Sequence, residues 1–314
     1  MVKTLVKSVL GRAAPRMPAV QHALDRGLTV LMFHDVTDRP APFSRENGLT
    51  VGVNRFRQQA EFLAETFRII SIDELLAGQI PPRAALLTFD DGFAGVFRSA
   101  LPILQALRIP STVFLNMATV SGEPCWGALV VYLCRHVAGF RAFLLERCGE
   151  AARVDPHMTC SPSLIREWDD QKGLAYREAV RSYAGSFATR EDLETVRGDP
   201  LVAFGSHSFH HYSFRALSDA EAEADIRANA EALASYPNDR PIFAFPFGVP
   251  GRSFSARQVE RVLGHGYRRV FTVLSRVNAE VGATVLHRLA LTDWHDRRSR
   301  FWYQVGRAAL EGRQ

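Results

Sequence analysis

Apolar residues gather in short runs at 29–33, 85–89, 112–115, 202–204, 242–245 and 270–273, and longer stretches with apolar positions every three or four residues lie between them. Short continuous apolar runs fit strands covered on both faces, whereas the spaced pattern fits helices with one buried side. Their alternation predicts a parallel sheet with crossover helices, an α/β fold. Two helix starts are explicit: Ser71-Ile72-Asp73-Glu74 and Ser218-Asp219-Ala220-Glu221 both read as capping boxes. Between residues 117 and 199 the alternation lapses into a long, mostly helical segment. It leaves one strand end and returns just before the next strand, so it predicts a wall or lid over whatever occupies that end. At 314 residues and 47% hydrophobic content the chain can bury one large core, and no internal repeat or low-complexity linker divides it.

Candidate chemistry clusters where the strand-like runs stop. Thr88-Phe89-Asp90-Asp91-Gly92 sets two adjacent carboxylates at the end of a strand. Neighbours in a strand face opposite sides, but at a strand end followed by glycine both can reach one cleft, one binding a metal and the other moving a proton. Asp-Asp-Gly is also ordinary turn chemistry. Gly205-Ser206-His207-Ser208-Phe209-His210-His211 follows the run at 202–204, and His207 and His211 are spaced to share one face of a helical turn. Two histidines and one carboxylate with an open position make a catalytic zinc-type ligand set, and a histidine-rich loop bonded to backbone is the plainer reading. His210 falls on a different face. Phe243-Ala244-Phe245-Pro246-Phe247-Gly248 is stiffened by proline and turned by glycine, so that Phe247 N–H can face an oxyanion while the rings wall a groove. An apolar strand followed by a loop accounts for it equally well.

Together, in this order and at strand ends, Thr88-Phe89-Asp90-Asp91-Gly92, His207-Ser208-Phe209-His210-His211 and Phe245-Pro246-Phe247-Gly248 resemble the first three motifs of the polysaccharide deacetylases, the carbohydrate esterase family 4 or NodB-homology group. The resemblance covers roughly residues 28–292 and implies a deformed (β/α) barrel of the NodB type. Residues 1–27 then form a basic amphipathic segment and 293–314 a basic, aromatic C-terminal helix. It implies a metal site of Asp91, His207 and His211, with zinc expected and cobalt or nickel as alternatives, and Asp90 as the catalytic base. Phe245, Pro246, Phe247 and Gly248 would line the substrate and oxyanion side.

Two departures from the family pattern bear on mechanism. The late Leu-x-His that commonly supplies the acid is absent in its usual spacing, with Leu286-His287-Arg288 the nearest candidate. Leu31-Met32-Phe33-His34-Asp35-Val36 instead resembles the Tyr-His-x-Val opening of the exopolysaccharide branch, which includes deacetylases of poly-N-acetylglucosamine and takes its acid from an early histidine. His34 is therefore the expected acid, because it ends a strand as Asp90 does, whereas alternation over 284–291 leaves the direction of His287 open. The arginine that many members place before the proline of the third motif is also missing, since Ala244 and Phe245 stand there. That predicts a base less depressed in pKa.

Charge and cysteines add the setting. The net charge is +5 and the pI 9.2, with no recognition motif for nucleic acid. Val2, Leu5, Val6, Val9 and Leu10 share a helical face among Lys3, Lys7, Arg12 and Arg16, and Arg297, Arg298 and Arg300 adjoin Phe301, Trp302 and Tyr303. Such ends suit peripheral contact with an anionic membrane, or simply helices packed on the barrel with a solvated basic face. Cys125, Cys134, Cys148 and Cys160 contain no Cys-x-x-Cys pair, and Arg12 and Arg16 interrupt any signal-peptide core, so a reducing cytoplasmic location is expected. The expected function is deacetylation of an N-acetylated glycan or lipid-linked sugar. Hydrolysis of a formyl or non-glycan amide, and carbohydrate binding without turnover, are the alternatives.

Overall fold

The computed structural model describes residues 2–311, with side chains from Lys7 onward. Seven parallel strands form the frame: β1 (Thr29–Phe33), β2 (Ala84–Phe89), β3 (Ser111–Leu115), β4 (Val202–Ser206), β5 (Asp239–Ala244), β6 (Arg269–Thr272) and β7 (Val285–Ala290). They pair in the order β1-β7-β6-β5-β4-β3-β2, and β1 pairs with β2 as well as with β7, which closes the sheet into a barrel. The two-residue strand Arg68–Ile69 adds to β2 outside the ring. The expected (β/α) barrel is therefore present.

Six of the seven strands coincide with the apolar runs. β7 was not among them, because its sequence, Val-Leu-His-Arg-Leu-Ala, is broken by two polar residues. Strand alternation explains how it still belongs: Leu286 turns into the barrel with Val30, Leu86, Phe114, Ala203 and Ala244, so Arg288 must turn inward too and His287 outward. The opposite set, including Leu31, Phe33, Leu87, Phe89, Val113 and Leu289, packs under the surrounding helices. Both expected capping boxes form, at Ser71 with Glu74 and at Ser218 with Glu221.

Between β3 and β4 the chain is helical, from Met117–Val120 to Arg190–Glu194. Trp126, Phe140, Trp168 and Val180 build a core within this insertion. The terminal helices Val2–Ala13 and Arg298–Glu311 cross closely on the barrel: a Cβ at Gly11 would lie 1.7 Å from the Ser299 carbonyl oxygen. Phe301, Val305 and Ala308 from the second of these helices join the main core. Of the apolar N-terminal face, Val9 and Leu10 are exposed, while the side chains of Val2, Lys3, Leu5 and Val6 lie outside those described. Among the described residues no single helix is long and apolar enough to cross a membrane.

Candidate active site

The site is assembled at the C-terminal ends of the strands, where inward alternation continues past the last ladder bond. Asp90 N–H donates to Phe33 O (3.0 Å) and His207 N–H to Leu115 O (3.0 Å), so each residue is fixed by the strand beside it. Phe33 lies opposite Phe89 in the β1–β2 register, which places His34 and Asp90 at the same level of the barrel rim.

Asp91, His207 and His211 bring one ligand atom each within 4.8 Å of one another. Asp91 Oδ1 stands 3.4 Å from His207 Nε2 and 3.2 Å from His211 Nε2. Although these are ion-pair distances, neither is a well-formed hydrogen bond, and Asp91 Oδ1 is buried with no hydrogen-bond partner. Tetrahedral ligands held about 2.0–2.1 Å from one ion stand roughly 3.3–3.4 Å apart, so both Asp91–imidazole separations match those of ligands to a shared zinc-type ion. His207 Nδ1 lies 2.7 Å from the Ala244 carbonyl, which only accepts, so Nδ1 carries the proton and Nε2 keeps its lone pair for the shared point. His211 has no such partner: its Nδ1 is buried and unbonded, and its ring is held edge-on by Phe247 (centroids 4.9 Å).

His207 and His211 do not share a helical turn. The segment after β4 is an irregular bend, and the four-residue spacing works because Ser208 (φ 62°) and His211 (φ 63°) take the left-handed conformation. Asp91 (φ 68°) and Phe247 (φ 60°) do the same. Among the described residues, four of the six non-glycine residues with positive φ are thus at the site, in a region of the map costly for side chains with a Cβ. Buried polar residues that the sequence reading overlooked hold this bend. Asn116 donates to the His207 carbonyl and to the Ser208 carbonyl (3.0 Å). Asp225 accepts from the Phe209 and His210 N–H groups (3.0 and 3.2 Å) and from His210 Nδ1 (2.6 Å), which draws His210 away from Asp91, His207 and His211 as its position implied.

Asp90 sits between this cluster and Arg288. The guanidinium, fully buried, makes two parallel bonds to the carboxylate, Nη1–Oδ1 at 2.5 Å and Nη2–Oδ2 at 2.8 Å. Its Nε donates to the Thr272 carbonyl (3.1 Å), and its plane lies over the Phe114 ring. The arginine missing from the third motif is therefore supplied by β7, and the expectation of a less depressed base is overturned. Burial pushes the Asp90 carboxyl up, but Arg288 and then His207 outweigh it and hold it below the ordinary carboxylate range. Burial also opposes ionisation of Asp91, yet His211 and His207 keep it well below that range. His207 is likewise penalised by burial but raised on balance by Asp90 and Asp91. Since Arg288 neutralises Asp90, the charge of Asp91 remains to favour a cation where the two imidazoles converge.

His34 feels the charges of Asp91 and Asp90, which raise its pKa, but burial dominates and lowers it. His287, on the outward face, bonds Thr272 Oγ1 (2.8 Å) through Nδ1, and its backbone is clasped by Asn278; it is not part of the cluster. Phe247 is half-buried, and its N–H has no acceptor among the described residues. Phe245 is no groove wall: it is fully buried, stacked on Phe254 with centroids 4.0 Å apart. Pro246 is buried beside it, and Gly248 (φ 58°) packs so tightly on Val273 that a Cβ would come within 2.6 Å of its side chain. All four cysteines are free thiols.

Residues 77–270 match the profile of the polysaccharide deacetylase family, a span that takes in Asp90, Asp91, both clustered histidines and Phe247 but neither His34 nor Arg288. No curated protein sequence matches the chain. Among solved structures it is similar to IcaB from Ammonifex degensii, at 21% identity and a TM-score of 0.57 over 89% of this chain and 97% of that one. It is also similar to the Streptococcus pyogenes deacetylase PplD in complex with acetate, at 14% identity and a TM-score of 0.60 over 89% and 98%. A de-N-acetylase from Aggregatibacter actinomycetemcomitans gives 14% identity and a TM-score of 0.57 over 88% and 99%. At such identities these likenesses are of fold, whereas the profile spans more than half of the sequence and contains the whole candidate metal cluster: the chain belongs to the polysaccharide deacetylase family.

Proposed function

We propose that the chain is a metal-dependent N-deacetylase that hydrolyses the acetamide of an N-acetylated sugar in a glycan or glycan precursor of surface polysaccharide metabolism. The observation that carries this reading is the separation of two buried carboxylates into different environments. Asp91 points an unpartnered oxygen at two imidazoles, and Asp90, one residue away, is committed to Arg288. Paired acids whose surroundings differ in this way take different roles.

Asp91, His207 and His211 would hold the ion, with zinc the first choice and cobalt or nickel alternatives. A divalent ion there supplies Lewis acidity, polarising the amide carbonyl and making water a stronger acid. Asp90 is kept ionised and oriented by Arg288, so it can accept the proton of the attacking water. The unpaired Phe247 N–H is available to the oxyanion that develops on the carbonyl. The departing amine needs a proton, and His34 at the neighbouring strand end is the candidate donor. Burial makes its imidazolium a stronger acid than an ordinary histidine, which favours transfer to an amine.

The exposed Trp294, with Lys7 and Arg300 over its ring, and the exposed Val9 and Leu10 support peripheral contact with an anionic membrane. Four unpaired thiols are compatible with the reducing inner side, where a lipid-linked sugar would be the substrate. The test is acetate release, followed by mass spectrometry, from N-acetylated oligosaccharides and glycolipids by zinc- or cobalt-loaded protein. Loss of 42 mass units per sugar (roughly one acetyl group) that vanishes in Asp90→Asn supports the reading; no deacetylation of any N-acetylated sugar refutes it.

A further inference from the structure

The helical insertion carries one histidine, His157, against a residue of the candidate site, Phe247. The short turn Pro156–Met158 is fastened to two loops that bear site residues. Just before it, Asp155 pairs with Arg252 (2.6 Å), beyond the Phe247 turn, and Met158 Sδ accepts from Ser213 Oγ (3.2 Å), just beyond His211. Between these anchors the His157 ring lies over the Phe247 ring, with centroids 4.9 Å apart and planes 36° from parallel. Phe247 in turn meets His211 edge-on at the same separation. An imidazole from the insertion is thereby layered on the residue whose N–H has no acceptor among the described residues and whose ring props a candidate metal ligand.

His157 is unusual in having nothing to bond to. Neither ring nitrogen makes a hydrogen bond, and Nδ1 is buried, so Nε2 is the nitrogen that reaches solvent. A partly covered imidazole with no partner forgoes hydrogen bonds that water or a ligand must supply. Burial pushes its pKa down to about 4, so the ring is neutral at ordinary pH and makes a poor anion site. A neutral imidazole resting on an aromatic ring can instead bond a neutral donor or acceptor, and sugar hydroxyls are both.

We propose that His157 is a substrate-binding residue contributed by the insertion, its Nε2 hydrogen-bonding a hydroxyl of the sugar while its ring holds Phe247 in the left-handed turn. This rests on the deacetylase reading. It assigns the insertion a part in choosing sugar substrates over simple acetyl compounds.

The experiment compares wild type, His157→Phe and His157→Gln, all metal-loaded, on N-acetylglucosamine tetramers and on an aryl acetate that has no sugar hydroxyl. Phenylalanine keeps the ring over Phe247 but not the hydrogen bond, and glutamine keeps a donor and acceptor without the ring. The expected result for His157→Phe is a fall of about tenfold in the ratio of tetramer to aryl-acetate kcat/KM, carried mainly by KM, which is the size of one neutral hydrogen bond. Glutamine should recover part of that ratio. An unchanged ratio in His157→Phe with active wild type overturns the inference alone, as does an equal loss on both substrates, which would mark a purely structural ring. Acetate release by wild type from N-acetylated oligosaccharides and glycolipids separates the remaining case: activity on none of them overturns the deacetylase reading and the inference with it.

Discussion

Arg288→Met is the most demanding perturbation of the site, because it removes charge while nearly keeping the length of the side chain. In the native barrel the Arg288–Asp90 pair is buried on both sides and joined by two bonds of 2.5 and 2.8 Å. Taking away the cation strands an ionised carboxylate in the interior, at a cost of about 3–5 kcal/mol. For a chain of 314 residues, with an unfolding entropy of about 2.1 cal/mol/K per residue, that corresponds to a fall in Tm of roughly 5–8 °C, read by differential scanning calorimetry or circular dichroism. Adding Asp90→Asn should return about 2 kcal/mol of the loss, because the double variant has no stranded charge.

The pH dependence follows with a definite sign. In the wild type the folded pKa of Asp90 lies below its unfolded value of about 3.9, so its contribution to stability is present above that pH and is lost as pH falls through the folded value. In Arg288→Met burial prevails, and the folded pKa rises above the unfolded one. The stability deficit of the variant should then widen as pH rises from about 4 towards neutrality. The acid limb of kcat/KM should shift to higher pH for the same reason. A deficit that is flat in pH, or a variant as stable as wild type, would refute the view that Arg288 exists to hold Asp90 ionised.

The other tests address single residues. Purified protein should retain about one divalent ion per chain by elemental analysis, and His207→Ala, or the His207/His211 double alanine variant, should lose it; stoichiometric metal in the double variant would remove the metal site. Asp90→Asn should lower turnover roughly 10²-fold or more with metal retained, and undiminished turnover would mean another group takes the water proton. His34→Ala should cost about 10² to 10⁴ in kcat with metal retained, and His287→Ala close to nothing; the reverse ranking would return the acid role to the late histidine.

How far the sequence carried depended on whether the relevant physics was local. Six strands were legible because each contains a short apolar run that is buried, and the helix starts because capping boxes are contacts within four residues. β7 was missed for the reason that makes it useful: Arg288 interrupts its apolar pattern, and only closure against β1 shows that the arginine turns inward to a partner 198 residues away. One clue was available, since an arginine sharing the inward alternation with Leu286 demands a buried anion. The late Leu286-His287-Arg288 run was singled out for its histidine, when the residue that reaches the site is its neighbour. Asn116 and Asp225 had no local signature, because their task is to bond backbone atoms of a bend distant in sequence.

That bend shows why a helical reading of His207 and His211 failed while their pairing held. A helical turn brings side chains four apart onto one face using ordinary backbone angles, at no local cost. Here two residues adopt left-handed angles instead, each costing of order 1 kcal/mol for a side chain with a Cβ, and Asp91 and Phe247 add two more. Such conformations persist only where surrounding bonds overdetermine them, and the surroundings do so: Ser208 Oγ accepts the His211 N–H, Asn116 holds two carbonyls of the bend, and Asp225 holds two of its N–H groups. The return on that strain is positional. In extended backbone Asp90 and Asp91 would face opposite sides of β2; with Asp91 turned to φ 68°, both carboxylates meet the same imidazole, His207 Nε2 lying 3.8 Å from one and 3.4 Å from the other. A base and a ligand that are adjacent in sequence can thus serve one centre in different roles, which is the arrangement that water activation beside a cation requires.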